Sequence, residues 1–182
     1  MLVKEWNELP DYMQVEEVRP YYEILRKKKG QLILKRIFDI CASLILIVLL
    51  SPIILFFSIW IKLDSNGPVF YRQERVTQYG KVFRIFKFRT MVNNADKIGN
   101  LVTSKNDSRI TKVGEKIRKY RIDEIPQLFN VLIGEMSFVG TRPEVQKYVD
   151  AYSTEMNATL LLPAGVTSLA SIKYRDEDEI LE

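Results

Sequence analysis

Asp123 and Glu124 are adjacent carboxylates in a strongly basic neighbourhood. Arg118 and Arg121 stand just before them, and Arg142 follows in a Gly-Thr-Arg-Pro turn. A carboxylate pair can supply a nucleophile, a proton acceptor or oxygen ligands for a hard cation such as Mg²⁺. Guanidinium groups match phosphate oxygens in a bidentate fork, so arginines around such a pair suit a phosphate-bearing substrate and its metal ion. The same residues also read as a helix cap and a structural salt-bridge network, and composition does not separate the two. Absences narrow the chemistry. The chain has no histidine, which excludes imidazole bases, His-dependent triads and His-ligated metals. Its one cysteine, Cys41, excludes internal disulfides and Cys-rich zinc sites.

Pro126 locates the element that carries the pair. Proline is tolerated in a first helical turn, where backbone donors have no intrahelical partner. The stretch therefore predicts a helix that begins at about Asp123 to Pro126 and ends at Gly134. At such an N-terminus the macrodipole favours negative charge, which would hold Asp123 ionised and seat a phosphate. A short helix is expected before it, from Glu115 to Tyr120. Upstream, PVFYRQERV and KVFRIFKFRTM flank TQYG and read as a β-hairpin after a Ser65-Asn66-Gly67-Pro68 turn. In the second strand Phe86 and Phe88 alternate with Lys87 and Arg89, giving an apolar face and a cationic one, either solvated or anion-binding. The polar stretch from Met91 to Gly114 is read as helix and loop shielding the site.

Between Ile40 and Ile61 no side chain is charged. About 22 helical residues span roughly 33 Å, enough to cross the hydrocarbon core of a bilayer. Ser51-Pro52 stands near the middle, where proline frees a carbonyl that the Ser51 hydroxyl can satisfy. Lys and Arg clusters flank both ends, and such clusters favour the cytoplasmic side. A helix that bends at Ser51-Pro52 and leaves by the face it entered keeps both clusters inside. A straight span also tolerates proline.

With 182 residues the chain has room for one domain plus a membrane element. The reading divides it into an N-terminal arm (1–34), a membrane helix (35–64) and a cytosolic catalytic domain (65–182). A signal peptide is not expected, because the apolar run starts some forty residues in and is too long for an h-region. The formal net charge of +4, beside such a run, points to membrane lipids or an anionic substrate and not to nucleic acid. In the arm a helix is predicted within residues 15–30, ending at Gly30. Trp6, Tyr12, Tyr21 and Tyr22 fit either the membrane interface or a loosely packed segment. The expected fold class is a mixed α/β unit, mostly helical, with a re-entrant helix, interfacial amphipathic helices and a small β-hairpin.

Five ordered motifs carry a resemblance: KRIFDI opening the apolar run with Ser51-Pro52, GPVFYRQERV, KVFRIFKFRTM, RIDEIPQLFNVLIGEMSFVGTRPE and PAGVTSLASIKYRDEDE. From Lys35 onward the chain resembles the bacterial sugar transferases, the monotopic enzymes that load a sugar phosphate onto polyprenyl phosphate. The resemblance implies a re-entrant helix broken at Ser51-Pro52 and a catalytic dyad of Asp123 and Glu124. It implies functional basic residues at Lys87, Arg118, Arg142 and Arg175. It also implies UDP-sugar and polyprenyl phosphate as substrates, Mg²⁺ bound at Asp123 and Glu124, and the cytoplasmic face of the bacterial inner membrane as the setting. Self-association is compatible with it.

Some residues depart from the family pattern. Thr77 stands where glycine is frequent, and Thr141 where proline is common. AGVTSLASIKYRDED replaces a Gly-Trp-Ala-Gln-Val type of sequence, so a different sugar end of the pocket is expected. Relatives continue beyond the acidic DEDEILE, which implies a shortened form. Two rival classes stay open at this point: a glycosyltransferase that releases UDP, and a non-enzymatic membrane adaptor.

Overall fold

The computed structural model of the chain describes residues 3–95 and 107–173. Its longest element is helix α2, Lys29–Asp64, which follows α1, Arg19–Lys27, after a single non-helical residue, Lys28. Gly30 therefore lies inside α2 and ends nothing. A run of leucines and isoleucines propagates helix well, and the break between α1 and α2 falls at Lys28, two residues before the glycine. Pro20 occupies the first turn of α1, where its missing N–H costs nothing.

Helix α2 has a mean hydropathy of 2.9 over its most apolar window, and 6% of that window is buried. Its middle exposes Leu44, Ile45, Val48, Leu49, Leu55 and Phe56. Pro52 lies within the helix, and Ser51 Oγ donates to Val48 O at 2.8 Å. Val48 is the residue four before Pro52, so this hydroxyl satisfies the carbonyl that the proline ring leaves without an N–H partner.

Both ends of α2 are tied to the rest of the protein. Near its start Arg36 donates to Val131 O at 2.6 Å and to Leu132 O at 2.8 Å. These are last-turn carbonyls of α4, Gln127–Ile133, at the negative end of the helix dipole, and Val131 O also accepts from Gly134 N at 3.2 Å. Asp39, only 1% exposed, accepts from Ser137 Oγ at 2.7 Å and Phe138 N at 3.2 Å, with Lys35 Nζ at 3.5 Å. Near its end Ile61 packs with Phe88, Val113 and Ile117. Asp64 Oδ2 accepts from Val113 N at 3.3 Å, in the first turn of α3, Lys112–Lys119.

The β-hairpin forms as expected: β1, Phe70–Val76, pairs antiparallel with β2, Val82–Phe88. Arg89 differs from its sequence reading. It is 4% exposed and donates to Ser65 O at 2.6 Å, Ser65 Oγ at 2.9 Å and Asn66 O at 3.1 Å. It is neither a solvated nor an anion-binding cation but a peg that closes the C-terminus of α2.

A second sheet pairs β3, Met136–Val139, parallel with β4, Ala164–Thr167. Its edge requires glycine on both sides, because a Cβ on Gly165 would lie 2.2 Å from Gly140 N. Thr77 needs no glycine: its φ is −130°, and its hydroxyl donates to Glu135 O at 2.7 Å and accepts from Ala164 N at 3.1 Å. It thereby fastens the end of the first sheet to the second.

The N-terminal arm is not loose but packed into a core cluster. Val3, Leu9, Met13, Val18 and Tyr22 are buried against Leu32, Val76, Leu160 and Leu161. Trp6 meets Tyr22 edge-to-face at 5.0 Å, whereas Tyr12 and Tyr21 stay exposed. The described residues are thus mostly helical, with two small sheets and one long apolar helix near the N-terminus.

Candidate active site

The acidic pair is delivered by a sharp reversal. Helix α3 begins at Lys112, three residues before the expected start, with the Thr111 side chain accepting from Gly114 N. After it, Arg121 adopts a left-handed backbone conformation, φ 52° and ψ 26°. A non-glycine residue there is strained by about 1–3 kcal/mol, and such strain persists where the surroundings fix it. A 3₁₀ turn, Ile122–Glu124, follows, and α4 starts only at Gln127 with Pro126 as its N-cap residue. Asp123 and Glu124 therefore sit one turn ahead of the helix they were expected to open. Proline at position 126 stops the two segments from fusing into one α-helix, because it cannot donate to the carbonyl of Ile122. The predicted C-terminus holds: Gly134 is left-handed, φ 94°, and closes α4.

Helix α4 is locked onto β2 by Asn130, which is fully buried. Its Oδ1 accepts from Phe86 N at 2.8 Å, and its Nδ2 donates to Arg84 O at 3.1 Å and Glu135 Oε2 at 2.6 Å. This clip sets the 3₁₀ turn beside Lys87, which projects from the hairpin. Lys87 Nζ donates to Glu124 Oε1 at 3.0 Å, and Arg142 Nη2 lies 3.6 Å from the same oxygen. Arg142 is presented by the turn after β3, where Gly165 N donates to Thr141 O at 2.8 Å. Any residue at 141 can offer that carbonyl, so threonine in place of proline leaves the turn intact.

The two carboxyls are pushed apart in acidity. Burial raises Asp123 above its ordinary value; Lys87 and Arg118 oppose this and the Glu124 charge adds to it. Asp123 thus lies one turn ahead of α4 and not at its N-terminus as expected, and burial, not the helix dipole, is the largest influence on its acidity. Burial acts on Glu124 in the same sense, but the Lys87 ammonium, then Arg142 and Arg121, outweigh it and hold this carboxyl below its ordinary value. Neighbouring carboxyls with opposed shifts are a recognised signature of divided chemical roles.

The structure brings together Lys87, Asp123, Glu124 and Arg142, with Arg118 half-buried in the last turn of α3 and acting on Asp123 through its charge. Ser51 and Pro52 lie together in α2, away from this group. Arg175, the DEDEILE tail and residues 96–106 of the expected shielding stretch lie outside the described residues. Among the described residues no cluster of three or more Asp, Glu, His or Cys groups could hold a metal by itself. A shallow cleft opens beside Lys87 and Arg142 and is lined also by Arg75, Gln127, Gly165 and Val166. Sequence reasoning missed Arg75 and Asn130. Alternation along β1 places Arg75 on the face of Lys87, a signal that was available; the reach of Asn130 to a strand edge leaves no mark in the sequence.

A family model described as bacterial sugar transferase matches residues 30–182. The chain is 47% identical over 123 residues to a protein of Aeromonas hydrophila named UDP-N-acetylgalactosamine-undecaprenyl-phosphate N-acetylgalactosaminephosphotransferase. That alignment covers 68% of this chain and 29% of the relative. It is 42% identical over 135 residues to a Bacillus subtilis (strain 168) protein named putative undecaprenyl-phosphate N-acetylgalactosaminyl 1-phosphate transferase, covering 74% of this chain and 75% of that one. A Klebsiella pneumoniae protein named UDP-glucose:undecaprenyl-phosphate glucose-1-phosphate transferase is 40% identical over 83% of this chain and 33% of its own. The chain thus spans about a third of the Aeromonas and Klebsiella proteins and three quarters of the Bacillus one. With most of its length matched by that model, this chain belongs to the bacterial sugar transferase family.

Proposed function

We propose that the chain moves a sugar phosphate from a UDP-sugar to polyprenyl phosphate and releases UMP. The observation that carries this reading is the half-buried Asp123–Glu124 pair ringed by Lys87, Arg142 and Arg118 in a protein with one long, exposed apolar helix. The names of its relatives, which specify undecaprenyl phosphate and sugar phosphates, support it.

Asp123 is the nucleophile. One of its carboxylate oxygens attacks the β-phosphorus, the bond from that phosphorus to the bridging oxygen breaks, and UMP leaves with the electron pair. The product is an aspartyl phosphosugar. A phosphate oxygen of polyprenyl phosphate then attacks the same phosphorus and frees the Asp123 carboxylate. Splitting one transfer into two displacements is the usual advantage of a covalent route. Glu124, fixed by Lys87, positions a cation or a proton rather than attacking. Lys87, Arg118, Arg142 and Arg175 hold phosphate charge.

The residues present fit Mg²⁺. That ion takes one or two carboxylates and completes its shell with water and substrate phosphates. The Lys87 and Arg142 contacts both fall on Glu124 Oε1, while Asp123 makes no ion pair with either. Asp123 and Glu124 would hold the ion, and when bound it neutralises charge on the diphosphate.

The same proposal places α2 as a re-entrant helix at the cytoplasmic face of the bacterial inner membrane. Support comes from its tethers: Arg36 and Asp39 at one end and Ile61 and Asp64 at the other all dock on the same compact unit, while the middle stays exposed. A straight helix from residue 36 to residue 61 would hold those ends roughly 38 Å apart. The nucleotide released from UDP-sugar in the presence of polyprenyl phosphate tests the reading. UMP supports it, UDP points to plain glycosyl transfer, and no nucleotide points to an adaptor.

A further inference from the structure

The register of the hairpin puts Tyr71, Gln73 and Arg75 of β1 on one face with Phe83, Ile85 and Lys87 of β2. Phe83 and Ile85 are buried, so this face turns inward and carries its two cations with it. Arg75 lines the same cleft as Lys87, Gln127 and Arg142. Unlike Lys87, it has no carboxylate ion pair among the described residues. Its guanidinium donates to Gln73 Oε1 at 2.6 Å and reaches Pro143 O at 3.4 Å. Both partners are neutral. Glu144 is the carboxylate that acts on it most through space, yet its backbone carbonyl is occupied by Val76 N at 2.8 Å and its side chain makes no ion pair with Arg75.

This is an unusual state for a half-buried arginine. Burial lowers its affinity for the proton, Glu144 offsets part of that effect, and the Arg142 charge adds to it. A desolvated cation facing a second cation is stabilised when an anion enters between them. Around the cleft Lys87, Arg142 and Arg75 supply three positive charges, against which Glu124 is the one carboxylate in ion-pair contact among the described residues.

We propose that Arg75 is a phosphate-binding residue of this site, holding a phosphate oxygen in the cleft between itself and Arg142. The inference rests on the functional reading above and extends it to a residue which that reading does not use. The bonds to Gln73 and Pro143 orient the guanidinium and leave its remaining N–H groups for the ligand, which the planar fork suits better than an ammonium would. The phosphate belongs either to the nucleotide sugar or to the polyprenyl carrier.

Arg75→Gln and Arg75→Lys separate these sources. Loss of a charge-assisted contact raises the KM of the substrate it touches by about 10- to 100-fold. A rise confined to the UDP-sugar assigns the donor phosphate, and a rise confined to polyprenyl phosphate assigns the acceptor. Arg75→Lys recovers part of the loss in either case. A role confined to folding would lower kcat and the unfolding midpoint without that split. The second measurement needs no turnover: inorganic pyrophosphate raises the unfolding midpoint of the wild-type protein and does so less in Arg75→Lys. Unchanged KM values for both substrates, or equal protection by pyrophosphate, would overturn the assignment. If the wild-type protein releases no UMP, the functional reading fails, and the pyrophosphate comparison still decides the role of Arg75.

Discussion

Lys87 Nζ and Glu124 Oε1 lie 3.0 Å apart, although 37 positions separate them in the chain. The contact joins the hairpin to the 3₁₀ turn, whereas Asp123, the neighbouring carboxylate, makes no ion pair among the described residues. Two side chains of the same type thus acquire different chemistry from one lysine.

The opposed shifts fix a pH dependence. As the proposed nucleophile Asp123 must be ionised to attack, and burial raises its pKa above the ordinary 3.8, so the acid limb of kcat/KM for UMP release is expected at a pH higher than 3.8. Stability runs the other way for this group. The stability it contributes is complete below its unfolded pKa and is lost as pH rises through the raised folded value. Glu124, with a depressed folded pKa, contributes stability above its unfolded pKa that is lost as pH falls through the folded one. Asp123→Asn is therefore expected to raise the unfolding midpoint at pH 7 while lowering UMP release by about 10³-fold or more. A variant with a lower midpoint and retained turnover would contradict both statements.

Lys87→Met tests the ion pair. Both side chains are largely buried, 21% and 18% exposed, so the orphaned carboxylate is costly. A loss of about 1.5–3 kcal/mol is expected in denaturant unfolding at pH 7. The loss should shrink as pH falls and Glu124 is neutralised. A pH-independent loss would mean that packing, not charge, is what the substitution removes.

Asn130→Leu removes the clip between α4 and β2. It leaves Phe86 N without its partner, at a cost of about 1–3 kcal/mol for a buried group left unsatisfied, while Arg84 O keeps the Arg72 guanidinium at 3.0 Å. The activity should drop with it, because the turn bearing Asp123 is held by that helix. Urea unfolding together with UMP release checks both halves.

The membrane element makes its own prediction. Replacing Ser51 and Pro52 with leucine restores the backbone donor to Val48 O and removes the hydroxyl that now satisfies it. On the re-entrant placement proposed for α2, the helix should then straighten and carry the N-terminus across the membrane, at the expense of the Arg36 and Asp39 contacts. Labelling of a cysteine placed in the arm, in a Cys41→Ser background, reports the flip. Labelling from the outside that does not change would show that the bend is not encoded at Ser51-Pro52.

What the sequence could disclose depended on the range of the interaction. The hairpin was legible because alternation in KVFRIFKFRTM is a local signal, and the end of α4 because Gly134 is a local stop. The acidic pair and its arginines stood out because no histidine competes with them. The 3₁₀ turn was not legible, since nothing in the local sequence marks Arg121, a non-glycine residue, for a left-handed backbone. Nor was the fate of Arg89, whose alternation with Phe88 looks like that of Lys87 until the turn at Ser65 and Asn66 closes over it. The packing of the arm depends on Leu160 and Leu161, which lie far away in the chain.

The central claim is that Asp123 forms a bond to phosphorus. Intact-mass measurement of the protein after incubation with UDP-sugar and Mg²⁺, without polyprenyl phosphate, tests it most directly. A gain of one phosphosugar per chain is predicted, with an equivalent amount of UMP, mapped to the Asp123 peptide and absent in Asp123→Asn. An unmodified mass alongside full turnover once the acceptor is added would contradict it.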